Sequence, residues 1–229
     1  MAFRKKAQSI LAYKPDILIV QECEHPEKLL FNENLPKPNQ ILWFGENMNK
    51  GFAIFSFNNF GVKVLDIHKE DYRRIIPIAV TGGEYDFNLF AIWAYNPNDK
   101  DGKYITQVWK AVNYYDQLIR ENPTILIGDF NSNVIWDYKK HRLGNHSLVV
   151  KALEEQGVFS TYHKHYNQTA GKEQHATYYM YRHKDKPYHI DYCFASTDFI
   201  NKLDGVEVGT HEQWTSLSDH SPLIVTFGD

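Results

Sequence analysis

Cysteine is scarce in this chain of 229 residues, and the two present, Cys23 and Cys193, lie far apart. A disulfide framework is excluded, and neither cysteine sits at metal-site spacing, so each reads as a small buried apolar residue. Long apolar runs are also missing. No stretch approaches the ~20 residues needed to cross a bilayer, and the first residues lack the charged-then-apolar pattern of a secretory signal. The expectation is a cytoplasmic protein with no membrane attachment. Excess charge is absent too: 25 basic residues against 28 acidic ones leave a net charge of −3, so no global field draws in nucleic acid. A local group of carboxylates can still hold a divalent cation and reverse the field where chemistry occurs. No repeat, low-complexity tract or linker divides the chain, and a single domain over residues 1–229 is expected. What the chain has in quantity is apolar and aromatic residues, 43% and 15% respectively. That suffices for a sizeable core, with rings to spare for loops where they could stack on bases or sugars.

The pattern opens with an amphipathic helix over residues 3–13, in which Phe3, Ala7, Ile10 and Leu11 recur at helical spacing. Pro15 follows, and 17–20 is a fully apolar strand that delivers Gln21 and Glu22 at its end. A short helix over 26–30 and strands over 41–44, 52–57, 62–67, 75–80 and 87–95 come next, punctuated by glycines. Turns this short make neighbouring strands antiparallel, since a parallel crossover needs a dozen or more residues. One helical stripe covers 104–120, carried by Ile105, Val108, Val112, Tyr115 and Ile119, and a second covers 146–156 and stops at Gly157. Further strands are read at 158–162, 176–181, 190–195 and 223–227. Many strands with a few helices, joined by both hairpins and helical crossovers, indicate an α/β sandwich of two packed mixed sheets with helices outside.

The stretch that organises the chain runs from Pro123 to Asn131. Ile125, Leu126 and Ile127 form a strand buried on both faces, and the strand ends in Asp129 and Asn131. Residues two apart in extended chain point to the same side, so this carboxylate and amide can address one small object, such as a metal-bound water or a phosphate oxygen. An Asp and an Asn closing an ordinary turn is the other reading. Acids stand in comparable places at Glu22, Asp191 and Asp219, the last followed by His220. Four carboxylates in one cleft would repel, and a hard cation with oxygen ligands, Mg²⁺ or Mn²⁺, relieves that. Taken singly, each acid also fits a turn or a helix cap.

Taken together and in order, Gln21-Glu22, Gly128-Asp129-Phe130-Asn131, Ile190-Asp191-Tyr192 and Ser218-Asp219-His220 resemble the endonuclease/exonuclease/phosphatase superfamily. The resemblance implies a four-layer αββα sandwich and divalent-metal hydrolysis of a phosphate ester. The loop from Trp93 to Asn98 looks most like that of the exonuclease III and apurinic/apyrimidinic endonuclease branch, with Tyr95 where other branches place a histidine. That favours a DNA nuclease acting as a monomer, the alternatives being a phosphatase for a small or lipid-linked phosphate and a catalytically silent binding module. The roles implied are Glu22 and Asp219 on the metal, Asp129 activating water beside Asn131, His220 oriented by Asp191, and Tyr95 on the phosphate. The family also implies a strand ahead of the first helix, ending in an asparagine. The 229 residues start at that helix, so an N-terminally truncated domain with weakened metal binding and stability is expected.

Two other segments remain open. His163, His165, His175, His183 and His189 could bind zinc, but their spacing matches no familiar site and a solvated loop is the simpler reading. Basic residues and tyrosines in the same segment suit a nucleic-acid strand, or an exposed hairpin. Trp43, Asn47, Lys50, Arg73 and Arg74 could reach a substrate or remain solvated.

Overall fold

The computed structural model describes residues 3–29, 31, 35–72, 74–95, 104–138 and 143–228. Its first half runs α1 (Ala7–Leu11), β1 (Ile17–Cys23), β2 (Gln40–Asn47), β3 (Lys50–Ser56), β4 (Gly61–Val64), β5 (Ile75–Thr81) and β6 (Phe87–Trp93). The second half runs α2 (Ile105–Tyr114), α3 (Asp116–Arg120), β7 (Thr124–Asp129), α4 (His146–Glu155), β8 (Val158–Ser160), α5 (Thr161–Tyr166), β9 (Tyr178–Tyr179) and β10 (Pro187–Tyr188). It closes with β11 (Asp191–Ser196), α6 (Thr197–Ile200), β12 (Leu203–Val208), α7 (His211–Trp214) and β13 (Leu223–Phe227). No described helix is long and apolar enough to cross a membrane.

The apolar runs sort into layers. A six-stranded sheet in the order β4-β5-β6-β7-β11-β8 is antiparallel except for the β6–β7 pair. A three-stranded antiparallel sheet, β1-β3-β2, and the β12–β13 hairpin face it. Between them lies one core that includes Phe52, Ile54, Ile76, Ile78, Leu89 and Ala91. The stripe of α2 and α3 packs with α4 on the outer face of the six-stranded sheet through Val108, Val112, Ile119, Val149 and Leu153. Phe3, Ala7 and Leu11 cover the outer face of the smaller sheet together with Val20, Ala53 and Phe55. The result is the αββα layering implied by the sequence. Cys23 and Cys193 are both buried free thiols.

Several boundaries differ from the pattern reading. The helix over 104–120 is two helices, because Tyr115 leaves helical geometry at φ −90° and ψ 15°. The strand over 158–162 stops at Ser160, whose hydroxyl accepts the backbone N–H of His163 and caps α5. Over 176–181 the extended part is only Tyr178–Tyr179, and a 3₁₀ turn over Met180–Arg182 follows. The short helix at 26–30 is a 3₁₀ turn over Pro26–Lys28, with residue 30 outside the described residues. Sequence patterning missed α6, β12 and α7 altogether.

Candidate active site

The parallel pair β6–β7 and the antiparallel pair β7–β11 bring three strand ends to one rim. Trp93 stands beside Asp129, and Asp129 stands beside Asp191. Gly128 makes the close approach possible: at φ +140°, a Cβ there would lie 2.0 Å from the carbonyl oxygen of Ile92. Directly opposed carboxylates disfavour each other, so this register stores electrostatic repulsion at the rim.

Asn131 does not continue the strand. Its φ of 48° turns it into the left-handed region. From there its backbone N–H donates to Asp129 Oδ1 and its Nδ2 to Asp129 Oδ2, each at 2.8 Å. A further Nδ2 bond reaches the Ala94 carbonyl at 2.8 Å. Carboxylate and amide therefore do address one place, but through a turn rather than through the alternation of an extended strand. Asp129 is 4% exposed. Burial, and next the charge of Asp191, push its carboxyl well above the usual range, against the pull of His220.

His220 is joined to Asp191 by a 2.9 Å contact between Nδ1 and Oδ2. With Asp191 ionised, Nδ1 carries the hydrogen and donates, which leaves Nε2 for a ligand. Burial alone would lower the His220 pKa, but the charge and hydrogen bond of Asp191, with Asp129 adding, hold it above its ordinary value. Among the described residues, Asp129, Asp191 and His220 form the group whose ligand atoms all lie within 4.8 Å of one another.

Glu22 and Asp219 are not members of that tight group. Glu22 sits in a β-bulge of β1 with φ 57°, a conformation that re-aims a side chain at the cost of strain. Its Oε1 is 2.6 Å from Lys50 Nζ. Burial pushes the Glu22 carboxyl up, but hydrogen bonding and nearby positive charge, Lys50 first among them, together outweigh this and the group stays below its ordinary pKa. Asp219 accepts the backbone N–H of Tyr179 at 2.8 Å through its carbonyl. The field of both carboxylates is felt by Lys6, a lysine that sequence reading passed over. Burial lowers the pKa of Lys6, while Asp219, Glu22 and Asp191 all pull it up. Tyr95 follows β6 at the same rim, with the guanidinium of Arg74 5.1 Å from its ring centroid. Residues 96–98 of that loop, and Arg73, lie outside the described residues.

The histidine segment divides: His165 and His183 are exposed, as a solvated loop would have them, whereas His163, His175 and His189 join a largely covered brace. His163 Nε2 lies 3.1 Å from Glu173 Oε1, and His189 Nδ1 bonds the His175 carbonyl at 2.7 Å. Burial pushes the Glu173 carboxyl up, yet the hydrogen bonds of His163 and the Gly171 backbone bring it down to about 2. Thr177 Oγ1 accepts the backbone N–H groups of Ile190 and Asp191, each at 3.0 Å, and so positions Asp191. Asn133 Nδ2 donates to the His189 carbonyl and the Tyr192 hydroxyl, both at 3.0 Å. Asn133 extends the Asp129-Asn131 alternation by one step, a signal that was present in the sequence. Thr177 offered none, because its partners are more than ten residues away.

Aromatic rings lead outward from His220. Its centroid lies 4.8 Å from that of Tyr178, Tyr178 lies 6.4 Å from Tyr188, and Tyr188 lies 5.3 Å from Trp136.

A family model described as Endonuclease/Exonuclease/phosphatase family matches residues 7–220. The chain belongs to this family. Among curated protein sequences, none matches it. Solved structures share its fold. An AP endonuclease from Archaeoglobus fulgidus superposes with a TM-score of 0.69 at 19% identity, over 99% of this chain and 95% of that one. The 3' phosphatase NExo from Neisseria, bound to a product DNA hairpin, gives 0.68 at 19% identity over 98% and 94%. The endonuclease domain of TRAS1, a telomere-specific non-LTR retrotransposon, gives 0.64 at 14% identity over 98% and 91%. Family membership gives the rim described above its context, since the Asp129, Asp191 and His220 group falls inside or at the end of the matched span.

Proposed function

We propose that this family member is a divalent-metal-dependent hydrolase of phosphodiester bonds in nucleic acid, with Mg²⁺ or Mn²⁺ as its ion. The observation that carries the reading is the pairing of a buried Asp129, held by Asn131, with a His220 kept positive by Asp191. The donors around them are carboxylate oxygens, which suit a hard cation better than zinc. Glu22 and Asp219 would hold that ion. Once bound it would neutralise charge on the phosphoryl oxygens and help to discharge the proton that burial keeps on Asp129.

The chain's own groups divide the remaining work. Asp129 takes the proton of the attacking water, and its two bonds from Asn131 fix the lone pair that does so. His220 donates from Nε2 to a non-bridging phosphoryl oxygen, and its bond to Asp191 sets the tautomer and supports the positive charge. Tyr95, at the same rim, hydrogen-bonds the phosphate. The ring row Tyr178, Tyr188 and Trp136 favours a nucleic acid over a small or lipid-linked phosphate, because bases stack on such surfaces and simple phosphates do not.

Side-by-side turnover of an abasic-site duplex, single-stranded DNA, a 3'-phosphorylated DNA end and a simple monoester, with and without Mg²⁺, tests the reading. Turnover of DNA alone, and only with the ion, is expected. Preference for the simple monoester would move the assignment to a small-molecule phosphatase, and no Mg²⁺ uptake by calorimetry would move it to a silent binding module.

A further inference from the structure

Lys50 opens β3, and register shifts in both neighbouring strands meet around it. β1 slips between Gln21 and Cys23, where Glu22 sits, and β2 slips between Gly45 and Asn47, opposite Gly51 and Lys50. Residues two apart on a strand share a face, so Lys50 lies on the side of Phe52 and Ile54, which pack against the six-stranded sheet. The bulge turns Glu22 to meet it, with Oε1 2.6 Å from Nζ. The same ammonium lies 5.7 Å from the ring centroid of Trp93, the residue that stands beside Asp129. Lys50 therefore touches the carboxylate assigned to the ion and a ring next to the carboxylate assigned to the water.

Two cations share the Trp93 ring, and they are held differently. The Arg74 guanidinium lies 4.4 Å from Trp93 and 5.1 Å from Tyr95, against two rings at once. The side chains of Lys50 and Glu22 are 55% and 44% exposed. An ion pair this open to water is weak, and the flexible four-carbon stem lets the ammonium leave. A divalent ion carries twice the charge and takes carboxylate oxygens, so ion and ammonium compete for Glu22. Once displaced, the ammonium stands near a doubly charged cation and is stabilised only by a new anion. The substrate's phosphate supplies one.

We infer that Lys50 is a substrate-positioning residue under metal control: Glu22 holds its ammonium until a divalent ion takes that carboxylate, and the freed ammonium then binds a backbone phosphate oxygen of the nucleic acid. The inference rests on the functional reading above, in which Glu22 holds the ion. Metal and substrate binding are thereby coupled. The ion releases the lysine, and the lysine adds one phosphate contact made chiefly in the metal-loaded protein. Intrinsic metal affinity is correspondingly lowered, because the ion must first displace an ammonium.

Acetylation of the whole chain by an N-hydroxysuccinimide ester, read residue by residue by mass spectrometry, reports whether the Lys50 amine is engaged. Saturating Mg²⁺ should raise Lys50 labelling by about two- to fivefold, the factor to which an exposed ion pair's strength corresponds. By calorimetry, Lys50→Met should bind Mg²⁺ more tightly than the wild type by a similar factor. Lys63→Met, which removes the same charge from an exposed position on β4, should not. In an Asp129→Ala background, which slows cleavage, fluorescence anisotropy with the abasic-site duplex measures the phosphate contact. Lys50→Met should there weaken binding in Mg²⁺ and lower the salt slope by about one, with a clearly smaller loss in EDTA. Unchanged Lys50 labelling while Mg²⁺ is bound, equal Mg²⁺ affinity in Lys50→Met and wild type, or an equal loss of DNA affinity with and without the ion would overturn the inference and leave the functional reading standing. No Mg²⁺ uptake by either protein would overturn both.

Discussion

His146 offers a test that depends on burial and not on catalysis. It opens α4, is 1% exposed, and among the described residues neither of its ring nitrogens has a hydrogen-bond partner. Burial pushes its pKa down from 6.5 to about 4. In the unfolded chain the same imidazole titrates near its ordinary value, so between those two limits the unfolded state binds a proton that the folded state refuses. Stability must then fall as the pH falls through that window. Working the linkage at about pH 5 gives a loss of about 2 kcal/mol relative to about pH 7.5, a sizeable part of an ordinary domain's total. His146→Leu keeps comparable volume and removes the titration. Chemical-denaturation midpoints of both proteins at the two pH values supply the comparison. The wild type should lose about 2 kcal/mol more than the variant on acidification, and the variant should be no less stable near neutrality, because no orphaned ring nitrogens remain. Equal acid sensitivity in the two proteins would refute the reasoning and place the acid-sensitive groups elsewhere.

Other expectations follow from the same contacts. Thr177→Val strands the two backbone N–H groups that its hydroxyl now accepts; a loss of about 2–4 kcal/mol in denaturation and slower turnover through a displaced Asp191 are expected. Gly128→Ala must force its Cβ against Ile92 at φ +140°, and a fall in melting temperature equivalent to about 2 kcal/mol or more should appear by calorimetry. Asp191→Asn removes the charge that comes first among those raising His220; the imidazole resonances in NMR should then titrate at a lower pH than in the wild type, and unchanged titration would contradict the pairing.

The layers of this fold were legible because they rest on short-range pattern. Residues 17–20, 89–93 and 125–127 are apolar without interruption, and such runs become strands covered on both faces. Glu22, Asp129 and Asp191 were legible as strand-end acids for the same reason. The break at Tyr115 was not, since Val112, Tyr115 and Ile119 continue the helical stripe across it. The run at 158–162, rich in residues of high β preference, reads as strand, whereas Ser160 ends the strand and caps the helix that begins at Thr161. In β12, Asp204 and Gly205 precede the two buried residues Val206 and Val208, and Glu207 parts them, leaving too few apolar positions to register as a strand. The helices α6 and α7 are single turns of four residues, below the length at which helical periodicity can show. Least legible was the brace around Glu173 and Thr177, whose bonds from His163, Ile190, Asp191 and His189 span ten residues or more.

The central claim is that Asp129 and His220 act together on a phosphodiester in the presence of a divalent ion. Its most direct test is cleavage of an abasic-site DNA duplex, titrated with Mg²⁺, by the wild type, Asp129→Ala and His220→Ala, with folding verified by circular dichroism. Metal-dependent cleavage by the wild type is expected, reduced by roughly two orders of magnitude or more in each variant. Cleavage by folded Asp129→Ala at the wild-type rate would contradict the account.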